Sequence, residues 1–230
     1  TGSTVTASSE SSEPAATTAL PSEAPTLDWA PCEDQVDAAP ATECATLAVP
    51  LDHADPAGPM IDIAVARVDT ADGDDQIGSL VLNPGGPGAS GVEYLVSAAF
   101  SIPEEVQERF DLVGFDPRGV GASAAVECDF PIDDNVTLLA DGDEAGWDEL
   151  AGDAEGFLDT CDQASQELFP WVGTNNAARD LDLLRAALGD ERLTYVGSSY
   201  GTRLGSTYAE LFPDRVRAAV HEVDADPLLE

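Results

Sequence analysis

The chain has 230 residues, with 45 acidic side chains against 9 basic ones, 4 cysteines and 43% hydrophobic residues, enough to bury a full core without a disulfide scaffold or a repeat array. Its formal charge is −36, every basic residue is an arginine, and none precedes Arg67; nucleic acids and anionic lipid surfaces need clustered Lys/Arg to displace counterions, so neither is a fitting partner. High-salt adaptation and the codon bias of a GC-rich genome both account for the acidic, lysine-free composition, and no apolar run reaches the ~18–20 residues of a membrane span.

Residues 1–26 hold twelve Ser/Thr, five Ala and three Pro, with no aromatic or basic residue. Such a segment cannot bury enough apolar surface to offset its chain entropy, and the expectation is a disordered leader. The chain starts at Thr1 with no charged segment followed by an apolar core, so the expected product is a mature form whose secretory signal has been removed. From Leu27 onward, short apolar runs alternate with turns. Thr46–Leu51 and Ile61–Val68 read as two strands joined by the turn Asp55-Pro-Ala-Gly-Pro59. Ser79–Leu82 and Phe110–Phe115 are continuous apolar runs suited to a parallel sheet buried on both faces, and helical signals at Val92–Ser97 and Pro103–Arg109 lie between them.

Residues 129–170 are expected to form an acidic, mostly helical excursion outside the sheet. Twelve acidic residues lie between Asp129 and Asp162, without Ca²⁺-loop spacing. The strand–helix scheme then resumes. Asn176–Leu188 repeats apolar residues at helical spacing and ends at Gly189; Leu193–Val196 is a strand, Thr202–Phe212 a helix closed by Pro213, and Val216–Val223 a further strand. Alternation of this kind predicts an α/β fold with a mostly parallel sheet and helices on both faces.

Cys32 and Cys44 flank a short loop, and Cys128 and Cys161 flank the acidic segment. With no C-x-x-C spacing and only two histidines, zinc and thioredoxin chemistry are disfavoured, and the local spacing favours disulfides 32–44 and 128–161 in an extracytoplasmic protein.

The decisive segment is Leu193-Thr-Tyr-Val-Gly-Ser-Ser-Tyr-Gly-Thr202, which sets Gly197-x-Ser199-x-Gly201 between a predicted strand and a predicted helix. A serine on so tight a turn projects its hydroxyl from the sheet edge, and the flanking glycines remove β-carbons that would clash. Ser199 is therefore the candidate nucleophile. The backbone N–H of Tyr200, at a helix N-terminus, is a candidate donor to a developing oxyanion. The second donor is expected from the loop Asn83-Pro-Gly-Gly-Pro-Gly-Ala-Ser-Gly91, with Gly86 the first choice and Gly85 the alternate; lacking lysine, this loop is no phosphate cradle. Phe115-Asp-Pro-Arg-Gly-Val-Gly-Ala-Ser123 is expected to floor the site, with Arg118 in a buried ion pair.

With Asn83-Pro-Gly-Gly-Pro-Gly, Asp116-Pro-Arg-Gly-x-Gly-x-Ser, Ala178-Arg-Asp-Leu-Asp182, Gly-Ser-Ser-Tyr-Gly-Thr-x-Leu-Gly205 and Tyr208-Ala-x-Leu-Phe-Pro213 in this order, the chain from Leu27 to Val220 resembles the actinobacterial tripeptidyl aminopeptidase group. That group has the α/β-hydrolase fold and is related to proline iminopeptidases. The resemblance implies an exported serine hydrolase that needs neither metal nor cofactor and releases short peptides from free N-termini; some relatives are carboxylesterases on small esters. A degenerate, non-catalytic binding domain is the remaining alternative.

In that fold the triad Asp and His follow the nucleophile. Only His221 does so, inside the strand Val216–Val223, and His53 precedes the whole sheet as a turn residue. Asp224 and Asp226 follow that strand, one strand earlier than the resemblance places the acid. The expectation is a domain cut short after its sixth strand, with the triad Asp and His outside this chain.

Overall fold

The computed structural model describes residues 25–32, 42–70, 75–128 and 159–222. The expected leader and most of the acidic segment lie outside the described residues. Seven strands form one mixed sheet: β1 (Ala30–Pro31), β2 (Thr42–Pro50), β3 (Met60–Val68), β4 (Gly78–Asn83), β5 (Phe110–Phe115), β6 (Leu193–Ser198) and β7 (Val216–Glu222). Their order is β1-β2-β3-β5-β4-β6-β7. The β2–β3 hairpin is antiparallel from Thr42↔Val68 to Pro50↔Met60, and β3 joins β5 antiparallel. From β5 through β4 and β6 to β7 every pairing is parallel. This parallel half brings the carboxyl ends of β4 and β6 together, the place where open α/β sheets bind ligands.

Side-chain alternation divides the core in two. Leu80, Leu82, Leu112 and Ala66 face helix α1 (Gly91–Ala99), meeting Val92, Leu95 and Ala98. Val81, Val113, Val65 and Tyr195 face the other way, onto Ala177, Ala178, Leu181 and Leu184 of α4 (Thr174–Ala187) and Leu204 and Tyr208 of α5 (Tyr200–Leu211). Two short helices, α2 (Glu104–Gln107) and α3 (Gln163–Leu168), complete the described set. Ser90 caps α1, its Oγ accepting from Glu93 N at 3.0 Å, a contact worth about 1 kcal/mol. At Gly91 and Gly114 the α1 backbone lies so near β5 that an added Cβ would strike the carbonyl oxygen of Phe115 or Gly91.

Six of the seven strands coincide with apolar runs read from the sequence. The seventh, β1, is a two-residue pairing beside the Cys32–Cys44 disulfide, too short to leave a periodic signal. The second disulfide joins Cys128 to Cys161 across the acidic segment, whose described end carries α3. At the opposite edge, β7 buries little: Arg217 to Glu222 are all exposed.

Candidate active site

β6 stops at Ser198 and α5 starts at Tyr200, so Ser199 is the whole turn. Its φ of 51° and ψ of −122° are strained for any residue with a Cβ, a conformation kept only where the surroundings enforce it. Ser199 N–H donates to Glu222 O at 3.1 Å, while Ser199 O accepts from Thr202 N at 3.0 Å and Thr202 Oγ1 at 2.7 Å. Below the turn, a Cβ on Gly197 would come within 2.5 Å of Gly201 O and 2.6 Å of the Tyr195 ring; one on Gly201 would come within 2.8 Å of Asn83 O. The Tyr195 hydroxyl donates to Gly201 O at 2.8 Å. Burial pushes its pKa far upward, with Tyr200 adding to the rise, so it stays a protonated donor. The Ser199 residue is exposed.

The glycine loop after β4 meets the same turn. Asn83 Oδ1 accepts from Gly85 N at 3.0 Å, and a Cβ on Gly85 would collide with Ser198 O and lie 2.8 Å from Tyr200 N. Gly85 and Gly86 have φ of 92° and 102°. Because the Gly85 N–H is committed to Asn83, it is not free for a ligand. Among the described residues neither the Gly86 N–H nor the Tyr200 N–H has an acceptor. The N–H groups of Gly86 and Tyr200 are thus unengaged, and that of Gly85 is occupied.

The Asp116–Ser123 turn anchors this loop. Asp116 Oδ1 accepts from Ser90 Oγ at 2.6 Å and Val92 N at 3.1 Å, and Oδ2 accepts from Ala122 N at 3.0 Å. Ser123 Oγ accepts from Ala64 N at 2.8 Å and donates to Asp116 O at 2.7 Å. Asp116 is therefore committed to the scaffold.

Arg118 is 1% exposed and grips Asp180 with both Nε and Nη2, each at 2.6 Å. Its remaining N–H groups reach Leu51 O at 2.9 Å, Pro50 O at 3.1 Å and Trp171 O at 3.4 Å. A guanidinium has five N–H donors, and all are taken by oxygens. His53 Nε2, 2.9 Å from Asp180 Oδ1 and 3.1 Å from Arg118 Nη2, therefore has no proton to receive from Arg118 and must donate its own to Asp180. His53 is a buried tie between the β2–β3 turn and α4. Its Nε2 serves Asp180 and not Ser199. The spacing of His53 in the sequence shows only a turn; this burial has no sequence signal.

His221 lies on β7 opposite Gly197, its Nε2 2.6 Å from where a Gly205 Cβ would stand. It lies exposed beside the flank of α5. Among the described residues no histidine or carboxylate hydrogen-bonds to Ser199 Oγ. Asp224 and Asp226 lie outside the described residues. Asp182 accepts from Arg185 Nε at 2.9 Å, from Tyr208 Oη at 3.0 Å and from Arg215 Nη1. Sequence spacing gives Asp180 and Asp182 no role, although two acids on the buried face of an apolar helix are a signal for internal ion pairs. Glu222, whose Oε2 accepts from Ser198 Oγ at 3.1 Å, is likewise unmarked by any motif. Among the described residues no cluster of three or more His, Cys, Asp or Glu is arranged to hold a metal, and no helix is long and apolar enough to cross a membrane.

A strand, a one-residue serine turn and a helix, beside a glycine loop from the neighbouring parallel strand, match the alpha/beta hydrolase fold family model over residues 78–225. The chain belongs to the α/β-hydrolase family. It is 44% identical over 210 residues to serine protease Hip1 of Mycobacterium tuberculosis, covering 87% of this chain and 40% of that protein. It is 39% identical over 207 residues to tripeptidyl aminopeptidase of Streptomyces lividans, covering 87% and 38%. To carboxylesterase B of M. tuberculosis it is 36% identical over 220 residues, covering 92% and 42%. Within the α/β hydrolases the chain is thus similar to the tripeptidyl aminopeptidase group. It spans about two fifths of the length of these relatives.

Proposed function

We propose that this chain carries the nucleophile and the oxyanion-binding backbone of a serine hydrolase. The observation that supports it best is Ser199, exposed at φ 51° on the β6–α5 turn, followed by the unengaged Tyr200 N–H and met by the glycine loop, whose Gly86 N–H is also unengaged. Ser199 Oγ attacks the substrate carbonyl carbon while its proton passes to a base; the carbonyl π pair becomes the oxyanion, held by those two N–H groups. Collapse of the tetrahedral adduct expels the leaving group, which takes that proton, and water then releases the acyl group by the reverse sequence.

The base and the carboxylate that orients it come from outside residues 1–230. The engagement of His53 with Asp180 and the lack, among the described residues, of a histidine or carboxylate hydrogen-bonded to Ser199 Oγ support this. Residues 1–230 alone therefore turn over substrate slowly, since the base contributes several powers of ten in rate. Hydrolysis of p-nitroanilides or p-nitrophenyl esters by residues 1–230 at ordinary enzyme rates, abolished by Ser199→Ala, would overturn that placement.

The substrate is a short peptide with a free N-terminus, a reading supported by similarity to the Streptomyces tripeptidyl aminopeptidase; the two disulfides support export to an oxidising compartment. The second reading, a carboxylesterase on small esters, draws on the similarity to carboxylesterase B. Assays of the full-length protein on an alanine tripeptide anilide and on short acyl esters separate the two by kcat/KM. A fluorophosphonate probe that fails to label Ser199 there would favour a non-catalytic binding domain.

A further inference from the structure

The inference rests on Ser199 as nucleophile and concerns what lies beside it. Among the described residues the exposed large hydrophobic side chains are Met60, Phe100, Phe169, Val172 and Val220. On a chain of net charge −36, two of them within four residues make a local apolar ridge, where single exposed hydrophobics would be unremarkable. Phe169 is 44% exposed and Val172 37%, with Trp171 half-buried between them.

One contact ties the segment that carries this ridge to the serine turn, and others hold it to the scaffold. Thr174, two residues after Val172, meets the Tyr200 hydroxyl with its Oγ1 at 2.7 Å. Tyr200 is the residue after Ser199, so Thr174 sits at the far end of that tyrosine side chain and the ridge ends two residues before it. Trp171 O accepts from Asn176 Nδ2 at 3.0 Å and Arg118 Nη1 at 3.4 Å, which fixes the segment to α4 and to the buried ion pair. Val172 and Val126 stand together over Gly119, 3.0 and 3.2 Å from where its Cβ would be. The ridge is therefore held in place rather than a loop tip.

We propose that the ridge Phe169–Val172, with the Tyr200 ring that Thr174 holds beside it, is the subsite for an apolar side chain or acyl group carried on the carbonyl that Ser199 attacks. Thr174 is a positioning residue: its hydroxyl fixes the Tyr200 ring as the wall between nucleophile and ridge. A substrate with a long apolar group gains contact there in both ground and transition states, and a short or charged one does not.

The test uses the full-length protein and two fluorophosphonates, one ethyl and one octyl, with the rate of Ser199 labelling followed by mass spectrometry. Burying a few methylenes at about fourfold each predicts octyl labelling about tenfold faster than ethyl or more. Val172→Asp and Thr174→Val should each bring the octyl-to-ethyl ratio close to one, and Thr174→Ser should restore it. The ratio cancels any general loss of reactivity or folding. Equal labelling by both probes, or an undiminished ratio in Val172→Asp and Thr174→Val, overturns the subsite while leaving Ser199 as nucleophile. No labelling of Ser199 by either probe removes both.

Discussion

Asp180→Asn tests whether the buried ion pair holds the site together. The Asp180 carboxylate is 2% exposed and accepts from Arg118 Nε, Arg118 Nη2 and His53 Nε2 at 2.6, 2.6 and 2.9 Å. An asparagine keeps the shape but turns two N–H groups toward one of these donors. It also removes the charge that compensates a guanidinium 1% exposed. Hydrogen bonds to charged groups are each worth about 1.5–3 kcal/mol, and breaking a buried pair by changing one partner costs about 3–5 kcal/mol. For a domain of this size that corresponds to a fall in Tm of about 6–20 °C, read by calorimetry or circular dichroism. The double variant Arg118→Met/Asp180→Leu removes both charges and should be more stable than either single variant, because it leaves no orphaned ion. A shift below about 2 °C for Asp180→Asn, or a double variant worse than both singles, would refute the argument.

Three further outcomes follow from named contacts. Ser199→Gly should raise stability by about 1 kcal/mol, since glycine adopts φ 51° without strain, while abolishing fluorophosphonate labelling; a loss of stability would mean that the turn is not strained. Replacing Cys128 and Cys161 by serine should destabilise by about 3.7 kcal/mol for the separation of 33 residues, and Cys32/Cys44 by about 2.8 kcal/mol for 12, on loop-closure entropy; chemical unfolding that ranks them the other way would count against it. Asp162 caps α3 by accepting from Ser165 N at 2.7 Å, which lowers its pKa, with the Ser165 side chain adding to the effect. Its stabilisation is present above the unfolded value of about 3.9 and is lost as pH falls through the lower folded value; a carboxyl NMR titration with its midpoint at or above the ordinary value would contradict this.

The fold was legible because most strands and helices announce themselves by period and by the residues that stop them. Gly189 and Pro213 close α4 and α5 near where the apolar pattern ends, and the continuous runs at β4 and β5 read as strands buried on both faces. The serine turn was legible for a related reason: a one-residue connection between strand and helix permits few residue types at its flanks. What stayed hidden depends on pairings distant in sequence. Arg118 was readable as an ion-pair partner, but its partner Asp180 lies 62 residues away, and His53 joins it from 127 residues away. Nothing local to Leu51-Asp-His-Ala marks a buried histidine, because burial there is made by Arg118 and α4 and not by the turn.

The choice between Gly85 and Gly86 shows where sequence stops and geometry begins. Both are glycines with positive φ in the same loop, and each could present an N–H to a ligand. Asn83 separates them: its carboxamide oxygen takes the Gly85 N–H, and its own position is fixed because its backbone oxygen lies against Gly201. The residue that ends β4 thus engages one donor, leaves the next one free and packs against the turn that carries Ser199. Loop and serine turn are registered through one side chain and two contacts of backbone with backbone, which only glycine at 85 and 201 allows. A Cβ at Gly85 would force the loop away from Ser198 O and Tyr200 N. The glycines here serve less for flexibility than for closeness, and that closeness is what the proposed oxyanion site asks of the backbone.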